Sequence, residues 1–353
     1  MLSISKDKID ELFALIGEKQ PLYLPVDNNT GKADFKKWEK GVKLSSNLKT
    51  VRSAKDFFFP KTEHMVSYEM SGKEVKVTDP RKEIEDFVIF GVRACDAVGF
   101  TVIDNVYLNM NPVDSYYKNR RDHGTVITLA CNEPAKTCFC STYGIDASLS
   151  ADKNGSKGDV SAWLSDGKYF FEANTEKGKA FVEKAKAVLK DEDAKAVDSL
   201  KKEIKDKTEK LPFAHLDLSK FQGKDMLKIF NSKIWDKVSE PCVGCGTCTY
   251  VCPTCMCFDV RDFKTNNGIR QIRCWDSCMF NDFTQMAAEN PRHTQKERSR
   301  QRFMHKLVYY PMAHEDNWQC VGCGRCLESC PIHMNIVKVV KAYNESESDG
   351  GNK

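Results

Sequence analysis

The chain has 353 residues, 16 of them cysteine, and its 54 Lys+Arg against 50 Asp+Glu leave a net charge of +4. That length accommodates two or three domains with a sizeable core. The mean hydropathy is −0.51, no apolar run approaches the roughly 18–20 residues of a bilayer span, and the charged N-terminus lacks a secretory apolar region. A membrane span and export are therefore not expected. The cysteines belong in a reducing cytoplasm, where clustered thiols bind metal or do catalysis more often than they form disulfides.

Ile9, Leu12, Phe13, Leu15 and Ile16 form a helical stripe in the opening segment. Phe87–Val92 and Thr125–Ala130 are short apolar runs, as expected of strands buried on both faces of a parallel sheet. Between them Val98, Val102, Ile103, Val106 and Tyr107 recur at helical spacing, so a βαβ-like unit is expected. Residues 182–210 hold nine Lys against eight Asp/Glu, which reads as a solvated helix face in an exposed bridge. The interleaved signs argue against nucleic-acid binding there.

All the cysteines lie in two territories. Cys95, Cys131, Cys138 and Cys140 occupy the first half, and the other twelve fall between Cys242 and Cys330. Within the second, Cys242, Cys245, Cys248 and Cys252-Pro253 repeat as Cys320, Cys323, Cys326 and Cys330-Pro331. The spacing C-x2-C-x2-C-x3-C-P is that of bacterial ferredoxins, where three thiolates hold one [4Fe–4S] cube and the fourth reaches the other. The crossed assignment gives Cys242, Cys245, Cys248 and Cys330 to one cube and Cys320, Cys323, Cys326 and Cys252 to the second. Paired zinc sites would not need three evenly spaced cysteines and a Cys-Pro, twice.

Cys95 and Cys131 each follow a predicted strand. In open α/β sheets ligands collect beyond the carboxyl ends of strands, so these two with Cys138 and Cys140 form a candidate third [4Fe–4S] site; zinc or buried free thiols are the alternatives. Arg93 and Arg120–Arg121 could screen a cluster's charge there or simply form salt bridges. Cys255, Cys257, Cys274 and Cys278 remain, open between a fourth cluster, zinc and an unligated lining. Trp275, Phe280 and Phe283 read as wedges of a small core. Residues 291–306 carry six Lys/Arg against one Glu, either a dock for an acidic partner or phosphate-bearing cofactor, or a solvated helix face.

No dinucleotide or phosphate loop motif is present, nor a nucleophile elbow, so no flavin or nucleotide is expected to be bound by this chain alone. One-electron carriers without a two-electron cofactor imply a conduit whose hydride chemistry is done by a flavin elsewhere.

The blocks GVRACDA, SYYKNRR, LACNEPAKTCFC, CVGCGTCTYVCPTCMCFDV, WDSCMF, and ERSRQRFMHK ahead of CVGCGRCLESCP together resemble one family. It comprises the β (iron–sulfur) subunit of cytosolic sulfhydrogenases, the corresponding iron–sulfur subunit of anaerobic sulfite reductase, and related subunits of flavin-linked oxidoreductase complexes. The resemblance implies a subunit passing electrons between an FAD- and NAD(P)-binding flavoprotein and a catalytic subunit of hydrogenase, sulfite reductase or heterodisulfide reductase type. The eight cysteines of the twin motif match its ferredoxin-type clusters, and Cys95, Cys131, Cys138 and Cys140 match its upstream set. Cys274 departs from the pattern. The expected fold class is α+β: an α/β domain over 1–215 with a cluster-binding loop region, then a mostly helical dicluster ferredoxin-like domain over 216–353, with an insertion between its motifs. The competing readings are a self-contained reductase acting on a sulfur or disulfide substrate at the Cys255/Cys257/Cys274/Cys278 group, and a non-enzymatic redox or zinc-dependent interaction protein.

Overall fold

The structure is a computed structural model and describes residues 1–47, 49–152, 154–221, 225–315 and 317–349. In chain order its strands are β1 (Leu2–Ser5), β2 (Leu22–Asp27), β3 (Ala33–Lys37), β4 (Thr62–Ser71), β5 (Glu74–Thr78), β6 (Phe87–Val92), β7 (Gly124–Leu129), β8 (Val160–Ser165), β9 (Lys168–Ala173), β10 (Lys190–Asp191), β11 (Phe258–Thr265) and β12 (Gly268–Trp275). Two compact units emerge. The first comprises Met1–Phe58, Glu83–Ala214 and Val321–Cys323; the second comprises Phe59–Lys82, His215–Cys320 and Gly324–Lys353. The chain thus crosses between units more often than at the single boundary read after residue 215.

The first unit is an α/β domain built on one sheet of order β10-β1-β9-β8-β7-β6-β2-β3. Its centre, β2-β6-β7-β8, is parallel, and antiparallel strands extend both sides. Every residue of β6 is buried, as a strand covered on both faces requires. Helices α1 (Ile9–Gly17), α2 (Ala94–Tyr107), α3 (Ser115–His123), α4 (Glu176–Ala185) and α5 (Lys195–Glu209) belong to this unit. The stripe on α1 buries Ile9, Leu12, Phe13 and Ile16 in a core with Val88, Phe90, Ile127 and Leu129. Each such side chain contributes about 1.5–3 kcal/mol.

The 182–210 stretch is more than an exposed bridge. Its α5 portion buries Val197, Leu200, Ile204 and Thr208 and contacts β8, while its charged residues take the outer face. Lys201 lies 4.6 Å from the Trp163 ring centroid. Arg121 pairs with Asp104 through Nη2 at 2.8 Å and Nε at 2.9 Å, a structural ion pair. Arg93 instead turns toward a cysteine loop.

The second unit contains helices α6 (Met226–Phe230), α7 (Ile234–Ser239), α8 (Thr247–Tyr250), α9 (Gln295–Met304), α10 (Tyr310–Ala313), α11 (Arg325–Ser329) and α12 (Ile336–Asp349). They are joined by a four-stranded antiparallel sheet of order β11-β12-β4-β5. The insertion between the motifs thus holds the β11–β12 hairpin as well as α9 and α10, and the hairpin pairs through β12 with β4, which lies far earlier in the chain. Arg273 binds Glu63 through Nε at 3.0 Å, both side chains being buried. Trp275 stacks on Phe59 at 6.1 Å between centroids and donates its indole N–H to Phe59 O at 3.0 Å. Trp275 is thus a core wedge, with Phe280 and Phe283 half-buried. Among the described residues no helix is long and apolar enough to cross a membrane.

Candidate metal centre

β6 and β7 are parallel neighbours, and their carboxyl ends deliver Cys95 to the first turn of α2 and Cys131 to the following loop. Cys131 N–H is held by Ala147 O at 3.0 Å. Buried Arg93 donates from Nη1 to Ala130 O at 2.8 Å and Leu129 O at 3.3 Å, fixing the strand end beside Cys131. The loop brings Cys138 and Cys140 back. Burial, with Cys131 and Cys138 close by, pushes the buried Cys140 thiol far up.

The Val321–Cys323 segment of the second motif packs on this same loop within the first unit. Phe139 N–H donates to Gly322 O at 2.8 Å, and Cys138 Sγ approaches Cys323 O at 3.8 Å. Gly322 has φ +60°, and a Cβ there would lie 2.4 Å from Phe139 O. Only glycine permits that approach.

In the first motif the loop turns at Gly246, φ +71°, where a Cβ would meet the Phe280 ring at 2.7 Å. Gly246 opens α8, as Gly324 opens α11 in the second copy, each in the left-handed region. Around Cys248 the thiols of Cys242, Cys252 and Cys245 are near enough to act on it: burial raises its pKa and Arg302 opposes this. Gln295 Nε2 reaches Cys242 Sγ at 3.6 Å. Cys245 Sγ and Thr247 Oγ1 are hydrogen-bonded at 3.4 Å, and this contact holds the Cys245 thiol below its usual range.

The basic run 291–306 is spent largely inside the unit. Helix α9 opens with a capping box of Thr294 and Glu297 and passes into a π-helical turn over His305–Tyr309, a break in regular helix common at functional sites. Arg302 and Lys306 are each 3% exposed. Arg302 donates to Cys255 Sγ at 3.3 Å and Cys248 O at 2.7 Å; Lys306 donates to Thr254 Oγ1 at 2.9 Å. Burial disfavours both charges, but thiols outweigh it: Cys248, Cys255 and Cys252 foremost for Arg302, Cys252 and Cys255 for Lys306. Both remain cations. A buried cation is costly without an anion nearby, and thiolates gathered on an anionic cluster supply one. The donor set and this charge balance fit iron–sulfur clusters.

The remaining four cysteines divide. Cys255 adjoins Cys252: the hydrogen bond from Cys255, with Lys306 and Arg302 near, holds Cys252 well below the usual thiol range. Cys278 adjoins Cys257, which, with burial, pushes it up. Cys274 lies on the β12 ladder opposite Asp259 and Thr62, in the company of Arg261, Asp259 and Asp276. Among the described residues no three His, Cys, Asp or Glu side chains converge as a single metal ion would require. A cube spreads its irons over separate corners and makes no such demand.

Sequence reasoning misses Arg302 and Lys306 as site residues within the basic run. Their signal is helical: Gln295, Ser299, Arg302 and Lys306 recur at i, i+4, i+7 and i+11 and share one inward stripe.

Residues 241–334 match the 4Fe-4S dicluster domain family. Over 349 residues, 98% of both chains, the sequence is 31% identical to Sulfhydrogenase 2 subunit beta of Pyrococcus furiosus (strain ATCC 43587 / DSM 3638 / JCM 8422 / Vc1).

Proposed function

The chain belongs to the iron–sulfur β-subunit family of sulfhydrogenases, and from that premise we propose that it relays single electrons between an FAD- and NAD(P)-binding flavoprotein and a catalytic subunit of hydrogenase, sulfite reductase or heterodisulfide reductase type. A [4Fe–4S] cluster, when bound, supplies one-electron chemistry at a potential tuned by charge and hydrogen bonds around its sulfurs. The chain's own residues do the rest. Cys242, Cys245, Cys248 and Cys330 are assigned to one cluster, Cys320, Cys323, Cys326 and Cys252 to a second, and Cys95, Cys131, Cys138 and Cys140 to a third. Arg302 and Lys306 balance thiolate charge, Thr247 and Gln295 reach the first motif's sulfurs, and Arg93 steadies the strand end before Cys131.

The observation carrying this reading is the buried pair Arg302–Lys306 set among the thiols of Cys248, Cys252 and Cys255, with Arg302 donating to Cys255 Sγ and Cys248 O. Neither an unligated thiol core nor a solvated basic face accounts for it. Cys255, Cys257, Cys274 and Cys278 are assigned no cluster of their own; Cys255 acts as a hydrogen-bond donor to Cys252.

Two measurements on the anaerobically purified chain test the reading. Iron analysis should return about twelve irons, four per cube, and NAD(P)H should reduce them only after a flavoprotein partner is added. Stoichiometric zinc in place of iron would remove the cluster assignment. Reduction by NAD(P)H, or turnover of a sulfur substrate, by the chain alone would remove the relay role.

A further inference from the structure

The two copies of the cluster motif are nearly identical in sequence and opposite in exposure. Val243 is 65% exposed and Cys245 is open to solvent, whereas the matching Val321 is 2% and Cys323 9% exposed. An apolar side chain held in water at the tip of a cluster loop forgoes burial free energy that its counterpart in the second motif gains.

Beside this open loop the second unit has a groove of about 380 Å³ between α7 and α12. Pro241, directly ahead of Cys242, and Ile332 and Met334, just beyond Cys330, give it an apolar floor. The groove is therefore flanked in sequence by the two ends of the ligand set assigned to one cluster. Lys237, Lys338 and Lys341 stand exposed around it, against Glu345. Three cations less one anion leave a local charge of +2, half of the chain's whole net charge of +4.

We infer that this groove and the Val243 loop form the docking port for an acidic one-electron carrier protein, one that presents carboxylates around an apolar knob. The inference rests on the cluster reading above. Apolar floor and basic rim match the anatomy of a transient redox interface, with a desolvated centre and charges at the edge that steer encounter. A cluster held by Cys242, Cys245, Cys248 and Cys330 would supply or accept one electron for the docked carrier. No bond forms or breaks, and no proton moves.

The test uses the full chain with its iron in place and a reduced acidic [2Fe–2S] ferredoxin as probe. Binding of the oxidised ferredoxin is read by calorimetry, and electron delivery by stopped-flow absorbance. Lys338→Glu/Lys341→Glu is compared with Lys195→Glu/Lys202→Glu, the same charge change on exposed positions of α5. The groove variant should bind at least about tenfold more weakly at low salt, with the difference fading above about 0.3 M salt, while the α5 variant should match wild type. Equal affinity of groove variant and wild type, or an equal loss in the α5 variant, overturns the port. Iron content and the dithionite-reduced spectrum separate the two levels: intact clusters with unchanged affinity refute the port alone, and a chain without iron refutes the cluster reading together with it.

Discussion

Arg302 makes the most of its position at the level of single side chains. Its guanidinium donates to a sulfur and to the carbonyl of a motif cysteine, so it holds the loop and offers positive charge to a group that gains negative charge on reduction. A cation near a cluster favours the reduced state. Arg302→Gln should therefore lower the midpoint potential of the adjacent cluster, by on the order of 100 mV for one charge at an effective dielectric near 20. Arg302→Lys should recover most of that shift, and potentiometric titration followed by EPR reads both. An unchanged potential would leave Arg302 as a packing residue only. The eight motif cysteines are legible in the sequence because their spacing is itself the chemistry. Arg302 and Lys306 are hidden there because six basic residues in sixteen look solvated until placed on helix faces. Arg300 lies over the Phe230 ring and Lys296 pairs with Asp236, so the same run also faces other ways.

At the level of elements, the sheet of the second unit depends on a pairing that no local pattern announces. The β4–β5 hairpin and the β11–β12 hairpin are each sequence-local, but β4 and β12 meet across about two hundred residues, and Glu63–Arg273 is the buried tie between them. On β11 the exposed Val260 and Phe263 break a strict two-residue alternation, so the insertion carries a weak strand signal. The parallel strands β6 and β7, by contrast, stand out as uninterrupted apolar runs. Glu63→Ala takes the carboxylate away from the buried Arg273 guanidinium, and should cost about 3–5 kcal/mol. A depressed thermal transition, together with exposure of Trp275 to a fluorescence quencher, checks it. Thr294→Ala, which removes only the capping box of α9, should cost about 1 kcal/mol and lower the transition far less.

At the level of the whole chain, the assignments of clusters to cysteines make separable predictions. Cys131→Ser should lower the iron content by about four and spare the signals of the twin motif; loss of all iron would tie the third site to the others. Cys252→Ser should disturb the cluster on Cys320, Cys323 and Cys326 more than that on its own motif. If EPR shows the reverse, the crossed ligation is wrong. The division into units is the least legible feature. Composition changes mark a boundary near residue 215, but a borrowed hairpin and a three-residue loop returned to the first unit are tertiary facts without a local cause.

That three-residue loop has a consequence for biosynthesis. Gly322 supplies the backbone acceptor for Phe139 and closes over the Cys138–Cys140 segment, so the first unit lacks a wall of its cysteine loop until residue 323 has left the ribosome. Its sheet draws every strand from residues 2–191. Completion of the loop waits for nearly the last tenth of the chain, and iron delivered before then would meet thiols that are still open to oxygen and to the wrong metal.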